Sequence, residues 1–106
     1  MPAADAPDAV FAQLVAVLRG EPGVSEGTGF GPNPGLRAGG AIFAMLVRDA
    51  LVVKLPAERC AALVAGGEAE PFAVGRRVMR EWASIPAVDE GRWLALAREA
   101  LVFAAR

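Results

Sequence analysis

The segment from residue 41 to residue 55, AIFAMLVRDALVVKL, constrains the fold most, because it holds two apolar runs separated by one short polar step. β-Branched and large apolar residues dominate both runs, as is typical of strands in a largely buried sheet. The dipeptide Arg48-Asp49 lies between the runs and favours a tight turn. We therefore predict two paired strands, residues 42–47 and 51–55, at the centre of a sheet.

The first of these strands is apolar on both of its faces, which requires that both faces be covered. Strict alternation places its side chains in two sets: Ile42, Ala44 and Leu46 against Phe43, Met45 and Val47. Either helices cover one face and another subunit covers the other, or long side chains of the same chain fold over the second face. The first alternative predicts a protein partner or a second copy, as a homodimer through the sheet.

The remaining elements follow from apolar periodicity and from turn residues. A helix is expected up to about Arg19, a strand at 24–30, a Gly/Pro-rich loop or a hairpin with an irregular tip at 31–40, and a helix from Pro56 to Gly66. Short strands at 70–74 and 78–85 precede a last helix capped by Asp89, in which Trp93 is predicted to be a buried core residue. The predicted order is α-β-β-β-α-β-β-α, a two-layer α+β domain with a mostly antiparallel five-stranded sheet. Residues 1–106 form one domain, with residues 1–7 frayed.

Composition excludes several kinds of chemistry. The chain has no His, a single Cys, and one lysine, Lys54. Catalysis by Ser-His-Asp or Cys-His needs an imidazole base, and a zinc site needs three or four Cys and His ligands. We therefore predict no catalytic residues, no metal site and no cofactor. Cys60 shares a helix face with Leu63 and Val64 and is predicted to be a core residue, with a reactive thiol as the alternative.

No apolar run approaches the roughly 18–20 residues that span a bilayer. Acidic residues occupy the N-terminal segment where a secretory signal would carry positive charge. We expect a cytoplasmic protein that does not associate with membranes. The net charge is −1, from 11 basic and 12 acidic residues, so the chain lacks the overall positive field that draws proteins to nucleic acid.

The glycine-rich stretch at residues 27–31, GTGFG, has the composition of a phosphate-binding loop. A dinucleotide fingerprint needs a helix directly after the loop, and Pro32 and Pro34 block a helix there. Turn and bulge glycines explain the stretch, and a backbone-amide anion nest is the alternative.

The candidate binding residues are three arginines without an intervening acid, Arg76, Arg77 and Arg80. Arg80 is predicted to share a strand face with Trp82, and Lys54 joins them if the two strands are neighbours. Arginines beside an exposed tryptophan are used in stacking and phosphate contacts. The alternatives are a solvated or ion-paired strand edge and a contact with a protein.

Four phrases of the sequence resemble one bacterial family. They are GTGFG at 27–31, IFAML at 42–46, DALVVKLP at 49–56 and GRRVMREW at 75–82. Together they are similar to TfoX N-terminal-domain-like proteins, which overlap with the MmcQ/YjbR-like group, over residues 10–103. The resemblance implies helices against an antiparallel sheet, similar to type III secretion chaperones, and no established catalytic residues. It also implies a regulatory role linked to natural competence or DNA binding.

These observations favour a non-enzymatic cytoplasmic domain that acts through protein contacts, with a regulatory role. The alternative is a weak nucleic-acid or anion binder that uses Arg76, Arg77, Arg80, Lys54 and Trp82. DNA would then be a weak ligand, because a strong binder makes about 6–10 phosphate contacts.

Overall fold

The predicted central hairpin is present, and the other elements are arranged around it. The structure is a computed structural model that describes residues 6–28 and 31–105. The turn between the central strands is the tight polar turn expected from Arg48-Asp49, with φ of 49° and 66° at its two residues. In chain order the elements are α1 (Pro7–Leu18), β1 (Val24–Thr28), β2 (Pro34–Ala38), β3 (Ala41–Val47), β4 (Ala50–Lys54), α2 (Ala57–Ala65), β5 (Glu70–Val74), β6 (Arg77–Ile85) and α3 (Glu90–Ala104).

The sheet is antiparallel throughout, in the order β1-β2-β3-β4-β6-β5. Buried residues of all three helices share one main core with β2, β3, β4 and β6, so the helices form one layer against the sheet. The predicted α+β class is confirmed. The sheet has six strands, one more than predicted.

The additional strand is β2, which lies in the segment predicted as a loop or an irregular hairpin. Pro34 is the first residue of the strand, a position that tolerates the missing N–H. Leu36 and Ala38 are buried in the main core on either side of the half-buried Arg37. The period of two is therefore present in the sequence, but glycine and proline around it concealed the strand. Residues 29 and 30 of the predicted first strand lie outside the described residues.

A β-bulge changes the faces that strict alternation predicted for β3. Leu36 of β2 lies opposite Ala44, whereas Arg37 lies opposite Ile42, so Phe43 is the extra residue. As a result Phe43 and Ala44 both pack in the main core with Leu46. Ile42, Met45 and Val47 contact the opposite face. The predicted assignment of Ile42 and Phe43 was wrong, because a bulge shifts the alternation by one residue.

The second face of the central strands is covered by the chain itself. Met45 and Val52 are 0% and 1% exposed, and they pack with Phe72 of β5 and Trp82 of β6. The rings of Phe72 and Trp82 lie 6.4 Å apart between centroids. We call these four residues the outer cluster. A second subunit is therefore not needed to cover the apolar face of β3. The two apolar faces of this strand no longer support the predicted homodimer through the sheet.

The last helix is anchored as its sequence predicted. The Asp89 carboxylate accepts a hydrogen bond from the Arg92 N–H, which caps the N-terminus of α3. Trp93 is fully buried, and its indole N–H donates to the Ala87 carbonyl at 2.9 Å. Helix α1 begins at Pro7, whose fixed φ suits the first helical position. The prediction that residue 7 is frayed was therefore wrong. Residues 1–5 lie outside the described residues.

Two ion pairs hold the last helix against the second one. The Arg59 guanidinium donates two hydrogen bonds to the Glu99 carboxylate, at 2.9 and 3.0 Å. Arg92 binds both carboxylate oxygens of Glu68, in the segment after α2. These hydrogen bonds lower the pKa of Glu68 below its ordinary value and raise the pKa of both arginines. The Arg59–Glu99 pair joins α2 to α3, and the Arg92–Glu68 pair joins the segment after α2 to α3.

Substitutions in the turn at Arg48-Asp49 should stabilise the fold. Both residues have positive φ, which costs energy for a side chain and which Asn-Gly tolerates best in a two-residue hairpin. We expect Arg48→Asn combined with Asp49→Gly to raise the free energy of unfolding by about 0.5–1 kcal/mol. Urea denaturation measures this. Asp49→Ala is the control and should lower the free energy of unfolding. A lower free energy of unfolding in the Asn-Gly variant would contradict the turn geometry.

The Glu68–Arg92 pair should make stability depend on pH. Because the pKa of Glu68 is lower in the folded protein, its contribution is present above the unfolded-state pKa and is lost as the pH falls through the folded-state pKa. We expect Glu68→Gln to lower the free energy of unfolding near neutral pH, with a difference from wild type that shrinks in acid. Denaturation at a series of pH values tests this. Glu58→Gln, at an exposed position, is the control. An equal loss of unfolding free energy in this variant would show that the Glu68–Arg92 pair is not the cause.

Candidate binding groove at the β5–β6 hairpin

The hairpin formed by β5 and β6 extends beyond the rest of the sheet. On its inner side β6 pairs with β4 only up to Trp82, which lies opposite Lys54. Before Trp82, Arg77 and Val78 pair with Val74 and Ala73 of β5. Met79, Arg80 and Glu81 lie where the register between β5 and β6 shifts, and the Glu81 carbonyl accepts a hydrogen bond from the Leu55 N–H just after β4. The turn between the two strands uses Gly75 at φ 62°, a conformation that glycine adopts without strain. The start of β6 is therefore exposed on one edge.

A groove runs along this exposed part of β6, and we call it the basic groove. It encloses about 420 Å³. Three cationic side chains, one carboxylate and three apolar side chains line it: Lys54, Arg77, Arg80, Glu81, Val78, Met79 and Trp82. Three positive charges against one negative charge leave a local surplus of two, although the whole chain carries −1.

Lys54 and Trp82 form the inner end of the basic groove. The two residues face each other across β4 and β6, and the Lys54 ammonium lies 5.7 Å from the centroid of the Trp82 ring. This separation is within the range of a cation–π interaction, about 6 Å. The contact holds the lysine over the tryptophan and leaves its charge available to a ligand.

The arginines of this hairpin are not neutralised by ion pairs. Within residues 6–28 and 31–105, neither Arg76, Arg77 nor Arg80 forms an ion pair, and Glu81 and Glu70 form none with them. Ion pairs among the described residues lie elsewhere in the fold and include Arg19–Glu26, Arg59–Glu99, Arg92–Glu68 and Arg98–Glu21. Arg77 and Arg80 therefore keep positive charge at the start of β6 that no carboxylate of the described residues pairs with.

The structure brings together four of the five residues that the sequence singled out. Lys54, Arg77, Arg80 and Trp82 line the basic groove. Arg76 is exposed in the turn and is not part of the lining. Trp82 is only 6% exposed, because most of its ring is buried in the outer cluster. Its ring therefore does not offer the open face that the predicted stacking interaction would need.

A second, apolar groove adjoins the first and was not predicted from the sequence. It lies between α2 and β6 and encloses about 380 Å³. Helix α2 forms one wall, where Ala57, Ala61 and Ala65 recur every four residues on one helix face beside Cys60 and Val64. The alanine spacing is a signal in the sequence, but only the position of α2 over β6 shows that the small side chains leave a groove.

Cys60 is a core residue, as predicted. Its thiol is buried and lies 3.6 Å from the Leu55 carbonyl oxygen. Burial raises the pKa of the Cys60 thiol, which disfavours the thiolate that a reactive cysteine requires. Cys60 also lines the apolar groove, but the raised pKa of its thiol argues against the alternative of a reactive thiol.

Other candidate features are not supported by the described residues. Gly27 lies within β1, opposite Gly35, rather than in a phosphate-binding turn; residues 29 and 30 of the GTGFG stretch are outside those residues. No group of three or more Cys, Asp or Glu side chains in the described ranges is arranged to hold a metal ion. No helix there is long and apolar enough to cross a membrane.

Comparison of the chain with protein-family models, curated proteins and solved structures gave no match. The resemblance to TfoX N-terminal-domain-like and MmcQ/YjbR-like proteins therefore stays a prediction.

Proposed function

We propose that the protein is a non-enzymatic cytoplasmic domain that acts through contact with another protein, and that its contact surface is the basic groove. The observation that carries the proposal is the convergence of three cations that no ion pair neutralises, Lys54, Arg77 and Arg80. Uncompensated charges on one surface favour a ligand of the opposite sign. The partner is thus an acidic segment of a protein. The regulatory role implied by the resemblance is part of this proposal.

The carboxylate of Glu81 favours a polypeptide over a nucleic acid. Glu81 lines the same groove as the cations and is exposed. A carboxylate repels phosphates and acidic side chains alike, but it accepts hydrogen bonds from the backbone N–H groups that a peptide carries between its side chains. A peptide with spaced acidic side chains satisfies both the arginines and Glu81. A phosphodiester backbone has no N–H donor for Glu81.

The limited extent of the basic groove also argues against a strong DNA binder. Even with Arg76 included, four cations are available at the hairpin, fewer than the about 6–10 phosphate contacts of a strong binder. Nucleic acid is still the second candidate, because Lys54, Arg77 and Arg80 line the same groove as Trp82. Its predicted stacking is limited by the burial of that ring.

Titration of labelled ligands distinguishes the two candidates. The ligands are a short Glu-rich peptide, single-stranded DNA and duplex DNA, each at two salt concentrations. We expect the peptide to bind and the variant Arg77→Ala with Arg80→Ala to weaken that binding about tenfold, because two charge contacts are lost. Arg19→Ala with Arg98→Ala is the matched control: it removes the same charge from exposed arginines elsewhere and should change the affinity less than about twofold.

Two results would contradict the proposal. Equal loss of affinity in the two double variants would show that only net charge matters. Binding of DNA that weakens with salt and disappears in the Arg77, Arg80 variant, without peptide binding, would put the nucleic-acid function in first place.

A further inference from the structure

The apolar groove between α2 and β6 shares a wall with the basic groove. We propose that it binds an apolar anchor in the same partner segment whose acidic residues occupy the basic groove. The partner is thus an acidic segment with apolar residues next to its acids. This inference rests on the proposed function and adds a second subsite to it.

The shape of the apolar groove suits a few side chains. Its volume of about 380 Å³ lies at the small end of the range for ligand sites, about 300–1,000 Å³. The alanines of α2 form one side, and Val78 and Met79 of β6 form the other. Val78 is 58% exposed, although it lies in a strand. A large apolar side chain from a partner would remove the surface of Val78 from water and fill the space above the alanines.

The position of Arg80 determines the chemistry of the occupant. Arg80, Met79, Val78 and Trp82 line both grooves, so a ligand in one of them touches the boundary of the other. Arg80 is exposed and forms no ion pair within the described ranges. An apolar group alone would leave this guanidinium without a partner, and a purely acidic ligand would leave the apolar groove empty. A segment that carries both kinds of side chain satisfies the two grooves together.

A polypeptide segment fits this arrangement better than a small amphipathic anion. Both grooves are open to solvent along the start of β6, and the cations are spread over two strands, β4 and β6. An enclosed pocket would surround a small ligand, whereas an open pair of grooves suits alternate side chains of one extended or helical segment. Peptides of this kind bind through a few apolar anchors, and charges at the margin fix their orientation.

The test uses two labelled peptides that share the same acidic residues. The anchored peptide carries two Leu residues among its Glu residues, and the anchorless peptide carries Ser at those positions. Binding of each is measured by fluorescence anisotropy with the full chain. We expect the anchored peptide to bind about tenfold more tightly, since burying a leucine in the groove is worth at least one factor of ten in affinity.

A matched pair of variants tests whether the Leu side chains of the anchored peptide bind in the apolar groove. Ala61→Trp fills the apolar groove, because Ala61 is exposed and lines it. Ala62→Trp adds the same ring to the neighbouring exposed position, which does not line the groove. Ala61→Trp should reduce the affinity of the anchored peptide to that of the anchorless one, and Ala62→Trp should leave the tenfold difference intact. Circular dichroism and the urea midpoint establish that both variants fold. Val78→Ser removes the exposed apolar side chain of β6 from the groove and should lower the affinity for the anchored peptide as much as Ala61→Trp does.

The outcomes separate this inference from the proposed function. If both peptides bind equally and Arg77→Ala with Arg80→Ala weakens both, the apolar subsite is wrong and the acidic-partner function stands. If the anchored peptide binds more tightly but Ala61→Trp and Val78→Ser have no effect, the anchor lies elsewhere and the inference is overturned. If neither peptide binds, both the function and the subsite are wrong.

Discussion

Burial of the central hairpin on both faces is the constraint on which the rest of the structure depends. The main core holds one face of β3 and β4 against the helices, and Met45 and Val52 occupy the other face. Leaving side chains of this size in water would cost about 1.5–3 kcal/mol each. The chain covers them with Phe72 and Trp82, which come from the β5–β6 hairpin. The hairpin is therefore required for the stability of the sheet.

The same hairpin carries the candidate binding surface, because covering the outer cluster fixes where β6 lies. Trp82 is buried in the outer cluster on one side and lies under the Lys54 ammonium on the other. Once Trp82 is fixed, the residues before it in β6 extend past the end of β4 and are exposed. Arg77 and Arg80 are in this exposed part. The charges of the groove are thus carried by a strand, β6, whose place in the sheet is set by its pairing with β4 at Trp82.

The sequence predicted those parts of the fold that depend on local signals. The turn at Arg48-Asp49, the cap at Asp89 and the buried Trp93 each depend on a few neighbouring residues, and the structure confirms all three. The strand β2 and the bulge at Phe43 were missed for one reason. The bulge exists only where β3 pairs with β2, and β2 was concealed by glycine and proline.

The candidate site also has features that the sequence predicted and features that depend on contacts between distant parts of the chain. The arginine cluster is visible in the sequence, and its approach to Lys54 follows if β4 and β6 are neighbours, as they are. The burial of Trp82 was not predictable, because it depends on Phe72 from another strand. The apolar groove was not predictable either, because it depends on how α2 lies over β6, and the ion pairs of Arg59 and Arg92 help to set that position.

The central claim is that one hairpin both closes the sheet and binds an acidic, apolar-containing segment of a partner. Nuclear magnetic resonance tests it most directly, by titrating the anchored peptide into isotope-labelled protein and following the backbone amides and the two indole N–H groups. We expect chemical-shift changes at Lys54, at the start of β6 and along α2, and no change at the indole N–H of the buried Trp93. Shifts centred on β1 and β2, or no shifts at high peptide concentration, would contradict it.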